Sequence, residues 1–126
     1  FHIQEAKEMP GRYDLITMFD CLHDMGDPVG AMKTIRSALN PGGAVMIVEP
    51  MAGDSVADNI NPVGRMYYSA STMVCVPTSL AQEKGEALGA QAGEKRLRDL
   101  IVDEAGFSSC RRAAETPFNL ILEARA

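Results

Sequence analysis

The chain has 126 residues, of which 46% are hydrophobic and 23% charged, and its formal net charge is −5. That is enough for one globular domain and too little for two. The acidic balance excludes the basic footprint of a nucleic-acid-binding module, and no apolar run approaches the length of a membrane span.

Residues 1–12 read as the tail of a strand entering a loop: Phe1 and Ile3 alternate with His2 and Gln4, and Pro10-Gly11 marks a turn. Residues 13–20 (YDLITMFD) form a near-continuous apolar run, the pattern of a strand buried on both faces of a parallel sheet. A polar cluster follows, Asp20, His23, Asp24 and Asp27. Asp27-Pro28 opens a helix, with Asp27 as the cap and Pro28 in the first turn. Met32, Ile35, Ala38 and Leu39 make its apolar face, and Asn40-Pro41-Gly42-Gly43 stops it. Residues 44–49 (AVMIVE) form a second buried strand, closed by Pro50. Strand, helix and strand in this order predict a βαβ unit with parallel strands.

Beyond Pro50 the pattern weakens. Residues 54–62 read as a polar loop and 63–76 as an apolar helix. Residues 78–91, rich in Gly and Ala, read as a short helix or loop. Residues 93–105 form a clear helix with Leu97, Leu100, Ile101 and Ala105 on one face, ended by Gly106. Residues 107–116 and 118–125 are strands joined near Thr116-Pro117, so closely that they must be antiparallel. The cysteines, Cys21, Cys75 and Cys110, are odd in number and spaced like neither a zinc site nor a disulfide framework. They suit a reducing, cytoplasmic setting. No secretory signal is visible, but the chain begins at Phe1, so a trimmed or processed start is expected and that absence carries little weight.

This ordered series resembles the C-terminal half of class I S-adenosylmethionine-dependent methyltransferases. The resemblance rests on the strand ending in an acidic loop, the run Leu39-Asn40-Pro41-Gly42-Gly43, and the strand ending in Glu49-Pro50. It rests also on the tail, where Ala105-Gly106-Phe107 leads to two closely joined strands. Leu22-His23-Asp24-Met25 further resembles the Leu-His-Asp-Trp motif of small-molecule O-methyltransferases, including bacterial members with an N-terminal winged-helix or dimerisation region. Met25 in place of Trp implies a different substrate pocket. The implied fold is α/β, a partial Rossmann-like doubly wound sheet with its last strand antiparallel, and the whole chain is one partial domain. The family's glycine-rich cofactor loop and the acidic residue that holds the ribose belong to a preceding part; Gly85, Gly89 and Gly93 are too far apart to supply that loop.

The resemblance also assigns residues. Phe19, Asp20, Cys21 and Leu22 fall where the methionine part of S-adenosylmethionine is held, and Glu5-Ala6 falls where the adenine is reached, unless Glu5 is a plain surface carboxylate. His23 is the expected general base toward a hydroxyl, since an ordinary histidine titrates at about 6.5; otherwise it caps a loop. Asp24 either orients the imidazole or the substrate, or bonds within its own turn. Glu49 either touches substrate or stabilises the following loop. Arg65, Met66, Tyr67 and Tyr68 either wall the acceptor pocket or form a core-facing helix stripe.

The implied function is methyl transfer from S-adenosylmethionine to a small hydroxylated molecule in a parent protein, with this chain inactive alone. A non-catalytic reading is a ligand-sensing or dimerisation module of a regulator. A nicotinamide-dependent Rossmann dehydrogenase is disfavoured by the antiparallel C-terminal pair. The strand at 13–20 would expose an unpaired edge, which predicts a homodimer or a swapped assembly across it. No metal is expected, and neither nucleic acid nor membrane is an expected partner.

Overall fold

A computed structural model describes residue 3 and residues 5–126. Four strands, β1 (Tyr13–Phe19), β2 (Leu39–Pro50), β3 (Ser109–Glu115) and β4 (Asn119–Arg125), form one sheet in the order β1-β2-β4-β3. β1 and β2 are parallel, and β4 is antiparallel to both β2 and β3. The expected βαβ unit and the antiparallel tail are therefore both present. They meet on β2, which has a parallel neighbour on one side and an antiparallel one on the other.

Helix α1 (Pro28–Ser37) begins where its sequence says it should. The Asp27 carboxylate accepts from the Gly30 amide at 2.9 Å, and Pro28 occupies a position whose amide needs no partner. Met32, Ile35, Ala38 and Leu39 are all buried. The helix stops at Ser37, before the Pro-Gly-Gly run, which lies inside β2. Tyr13 faces Leu39 while Leu15 faces Ala44, so the ladder skips over Asn40–Gly43 as a bulge. Gly42 takes φ 81° there, which a side chain would resist.

One face of the sheet carries the core. Val45, Ile47, Leu120 and Leu122 are fully buried against α1 and the C-terminal helix, together with Ile16, Met18, Leu97, Leu100 and Ile101. Each such side chain contributes about 1.5–3 kcal/mol of transfer free energy. The other face is open along β1, where Leu15 and Phe19 are each 60% exposed. The expectation of a strand buried on both faces is corrected: β1 is an edge strand covered on one side only. Among the described residues 5–12 no strand forms, because nothing pairs with that outer edge. Phe1, His2 and Gln4 lie outside the described residues.

The helix expected over 63–76 is present and runs from Pro62 to Leu80. Asn61 caps α2 (Pro62–Ala70) through the Gly64 amide at 2.8 Å. A wide, i→i+5 turn, Ser71–Cys75, continues into α3 (Val76–Leu80). The polar loop before α2 is organised by buried Asn59, whose amide group bonds the backbone of Gly53 and Ser55. The C-terminal helix starts as α4 (Gly93–Asp99) and finishes in a second wide turn, Leu100–Glu104. Gly106, at φ 81°, lets the Phe107 amide return to Ile101 O at 3.1 Å and closes it.

Asp27 does more than cap α1. Its carboxylate also meets Lys84 at 3.0 Å and Lys7 at 3.7 Å. Burial opposes its ionisation, but the Gly30 amide and the two lysines outweigh that and hold its pKa below the ordinary aspartate value. A depressed folded pKa gives stability that is present above the unfolded pKa and lost as pH falls through the folded one. Asp27→Ala is expected to cost about 1 kcal/mol near neutral pH. The difference in Tm between wild type and variant should shrink on acidification below about pH 4, followed by circular-dichroism melting.

Candidate functional site

Because β1 and β2 are parallel, their C-terminal ends lie side by side, and this is where ligands gather in open α/β sheets. After Phe19 the chain turns at Asp20, whose φ of 45° is a left-handed conformation that few non-glycine residues adopt. Its amide is still held by Val48 O at 2.8 Å. The turn delivers a short 3₁₀ segment, Leu22–Asp24, onto the end of β2.

There the segment meets Glu49. The Leu22 amide donates to Glu49 Oε1 at 2.9 Å, and His23 Nδ1 stands 2.5 Å from Oε2. Glu49 is 1% exposed and His23 4%. A carboxylate so buried must be paired and hydrogen-bonded, and here both oxygens are. The arrangement fixes the imidazole: Nδ1 carries the proton toward Glu49, and Nε2 points the other way. Nε2 lies 3.2 Å from Asp24 Oδ1, a close contact without hydrogen-bond alignment, and that oxygen is buried with no hydrogen-bond partner. Cys75, on the wide turn after α2, reaches the same spot; one donor atom each from His23, Asp24 and Cys75 lie within 4.8 Å of one another.

Burial alone would depress the His23 pKa. The Glu49 hydrogen bond and charge, with Asp24 and Asp20 behind them, outweigh it and raise the value above the ordinary one. Burial and the neighbouring Asp24 push the Cys75 thiol up to about 11, so it is no nucleophile at neutral pH.

Leu22–Gly26 is clamped from the side by the segment that follows Cys75. Ser79 Oγ donates to Met25 O at 2.9 Å. Gln82 bonds the Gly26 amide at 2.7 Å and Asp24 O at 2.9 Å. The Gly89 amide reaches His23 O at 3.3 Å. Sequence reasoning missed Ser79 and Gln82, whose partners are backbone groups more than fifty positions away.

Glu5, Ala6 and Cys21 line one open cavity of about 450 Å³ with Met9, Tyr13, Met18 and Met25, beside the unpaired edge of β1. Phe19 and Asp20 are exposed at the strand end, and the Leu22 side chain belongs to the core, leaving only its amide at the site. Glu49 lies beneath His23 and not at the rim, which replaces its expected substrate contact with a positioning contact. The reading of 65–68 as a core-facing stripe is also corrected. Arg65, Met66 and Tyr68 are exposed, and half-buried Tyr67 donates its hydroxyl to Phe118 O at 2.8 Å.

The family model described as a methyltransferase domain matches residues 1–85. The chain belongs to that methyltransferase family. Solved structures share its fold. An O-methyltransferase family protein from Burkholderia thailandensis is 17% identical, with a TM-score of 0.67 over 100% of this chain and 35% of its own. Human N-acetylserotonin methyltransferase, solved with S-adenosylmethionine (SAM), is 19% identical, with a TM-score of 0.70 over 99% and 33%. PigF, solved with SAH, is 19% identical, with a TM-score of 0.66 over 96% and 33%. The chain thus spans about a third of the length of these methyltransferase structures. No curated protein sequence matches it. No helix among the described residues is long and apolar enough to cross a membrane.

In this methyltransferase chain the His23–Glu49 contact is directly measurable. Glu49→Gln keeps the shape and removes the charge. The His23 pKa, followed by NMR of its ring protons, is expected to fall toward or below the ordinary histidine value; an unchanged value would show that Glu49 does not set it.

Proposed function

We propose that the chain is the C-terminal portion of a methyltransferase that moves the methyl group of S-adenosylmethionine to a hydroxyl of a small molecule. The observation that carries this reading is the buried His23–Glu49 pair at the ends of two parallel strands, in a chain of the methyltransferase family. The cavity beside β1 supports the cofactor's place. Its apolar walls, Met9, Ile16 and Met18, suit an adenine, and Glu5 and Glu8 offer carboxylates. The residues here are one side of such a site. When bound, the sulfonium supplies an already activated methyl group, so in-line positioning of the acceptor supplies much of the rate.

The protein's part is proton handling. The hydroxyl loses its proton to His23 Nε2 as its oxygen attacks. The imidazolium so formed is stabilised by Glu49 on Nδ1 and by Asp24 beside Nε2. The acceptor hydroxyl takes the place at Nε2 that the Asp24 carboxylate now faces. Met66, exposed on α2, is the residue of that helix we assign to the acceptor side, as adaptable apolar surface. In the full-length protein His23→Ala is expected to lower turnover about 10²–10⁴-fold with little change in SAM binding by calorimetry; unchanged turnover would remove His23 from the mechanism.

We further infer that the open edge of β1 pairs with another strand, from a second copy or from the rest of the domain. The 126-residue chain alone is expected to run as a dimer in gel filtration. A monomer over a wide concentration range counts against self-pairing. The three free cysteines suit a reducing, cytoplasmic compartment.

A further inference from the structure

We propose that His23, Asp24 and Cys75 form a site for one borderline transition-metal ion, with zinc the best match. The ion would be bound through His23 Nε2, Asp24 Oδ1 and Cys75 Sγ. This goes beyond methyl transfer and does not depend on it.

Three observations carry the inference. First, the donor set is the one zinc takes: an imidazole nitrogen, a carboxylate oxygen and a thiolate sulfur. One donor atom from each already lies within 4.8 Å of the others, and Nε2 and Oδ1 are 3.2 Å apart. Tetrahedral zinc, with bonds of about 2.0–2.3 Å, places its donor atoms about 3.3–3.6 Å apart, so only small side-chain movements are needed. Second, Asp24 Oδ1 is buried without an aligned hydrogen bond, and the donor nearest to it is the Cys75 thiol, whose proton metal binding would release. With Nδ1 protonated toward Glu49, a neutral His23 sets the Nε2 lone pair against that oxygen. Two acceptors facing each other in a buried place call for a proton or a cation between them. Third, the outer support is in place. Glu49 holds His23 through Nδ1 at 2.5 Å, which is the carboxylate–histidine–metal arrangement that orients a ligating imidazole. The Gln82, Ser79 and Gly89 contacts hold the backbone of residues 23–26.

Binding displaces the Cys75 thiol proton to solvent and forms the metal–sulfur bond. The fourth position is left to water, as in zinc sites with three protein ligands. Where His23 serves as a base, an ion on Nε2 withholds the lone pair that a hydroxyl would use, so zinc would act as a reversible inhibitor.

The test is titration of the chain with zinc chloride by calorimetry and with cobalt(II) chloride by absorption, at equal protein fold by circular dichroism. One equivalent of each metal is expected, with a cobalt–thiolate charge-transfer band. Cys75→Ser should abolish the band, and Glu49→Gln should weaken binding about 10–100-fold. Cys21→Ser should leave both unchanged. If Cys75→Ser fails to fold, zinc-edge X-ray absorption of the wild type decides the matter, with one sulfur among nitrogen and oxygen neighbours expected. No binding, a shell without sulfur, or a band that depends on Cys21 would overturn the proposal. Metal binding in a protein without methyltransferase activity would leave this inference standing and remove only the inhibition.

Discussion

A carboxylate buried to 1% exposure has to be satisfied where it stands, and the functional end of this molecule is arranged around that demand. Glu49 closes β2 and faces the interior. Its two oxygens take the Leu22 amide and the His23 imidazole, so the loop after β1 must fold back as a 3₁₀ turn at that height. The left-handed Asp20 makes that direction possible, and its strain is held by the β1–β2 ladder. The tautomer of His23 and the direction of Nε2 follow from the same pair.

The scaffold was legible wherever one strong local rule decided the matter. Asp27-Pro28 announced a helix start, Gly106 a helix stop, and the closeness of β3 and β4 an antiparallel pair. Local rules misled where tertiary surroundings decided. The apolar run at 13–19 suits a doubly covered strand, yet Leu15 and Phe19 stand in the open because no described element packs over that face of β1. Pro41-Gly42-Gly43 looks like a plain helix breaker, but the helix has already ended and the run is a bulge that sets the register of β2.

The site was legible in part. A histidine and an aspartate just past a strand mark themselves as chemistry-bearing. The role of Glu49 did not show, because parallel pairing brings it to His23 and no spacing in the chain encodes that. Cys75 is hidden for the same reason, with the added obstacle that a wide turn inside an ordinary-looking helix aims it inward. An inventory of cysteine spacings cannot find a cluster whose members come from a strand end and a distant helix.

β2 joins two units that are each local in sequence, β1-α1-β2 on one side and the β3-β4 hairpin with its helix on the other. Residues 51–92 form the long excursion between them, and most of their side chains lie outside the core. The ladder and the buried face are therefore largely indifferent to what that excursion carries. Yet it supplies the clamp on the backbone after His23 and places Cys75 beside His23 and Asp24. On the proposed reading, acceptor contacts and metal binding would both be carried by one stretch that can change without disturbing the framework that holds the histidine.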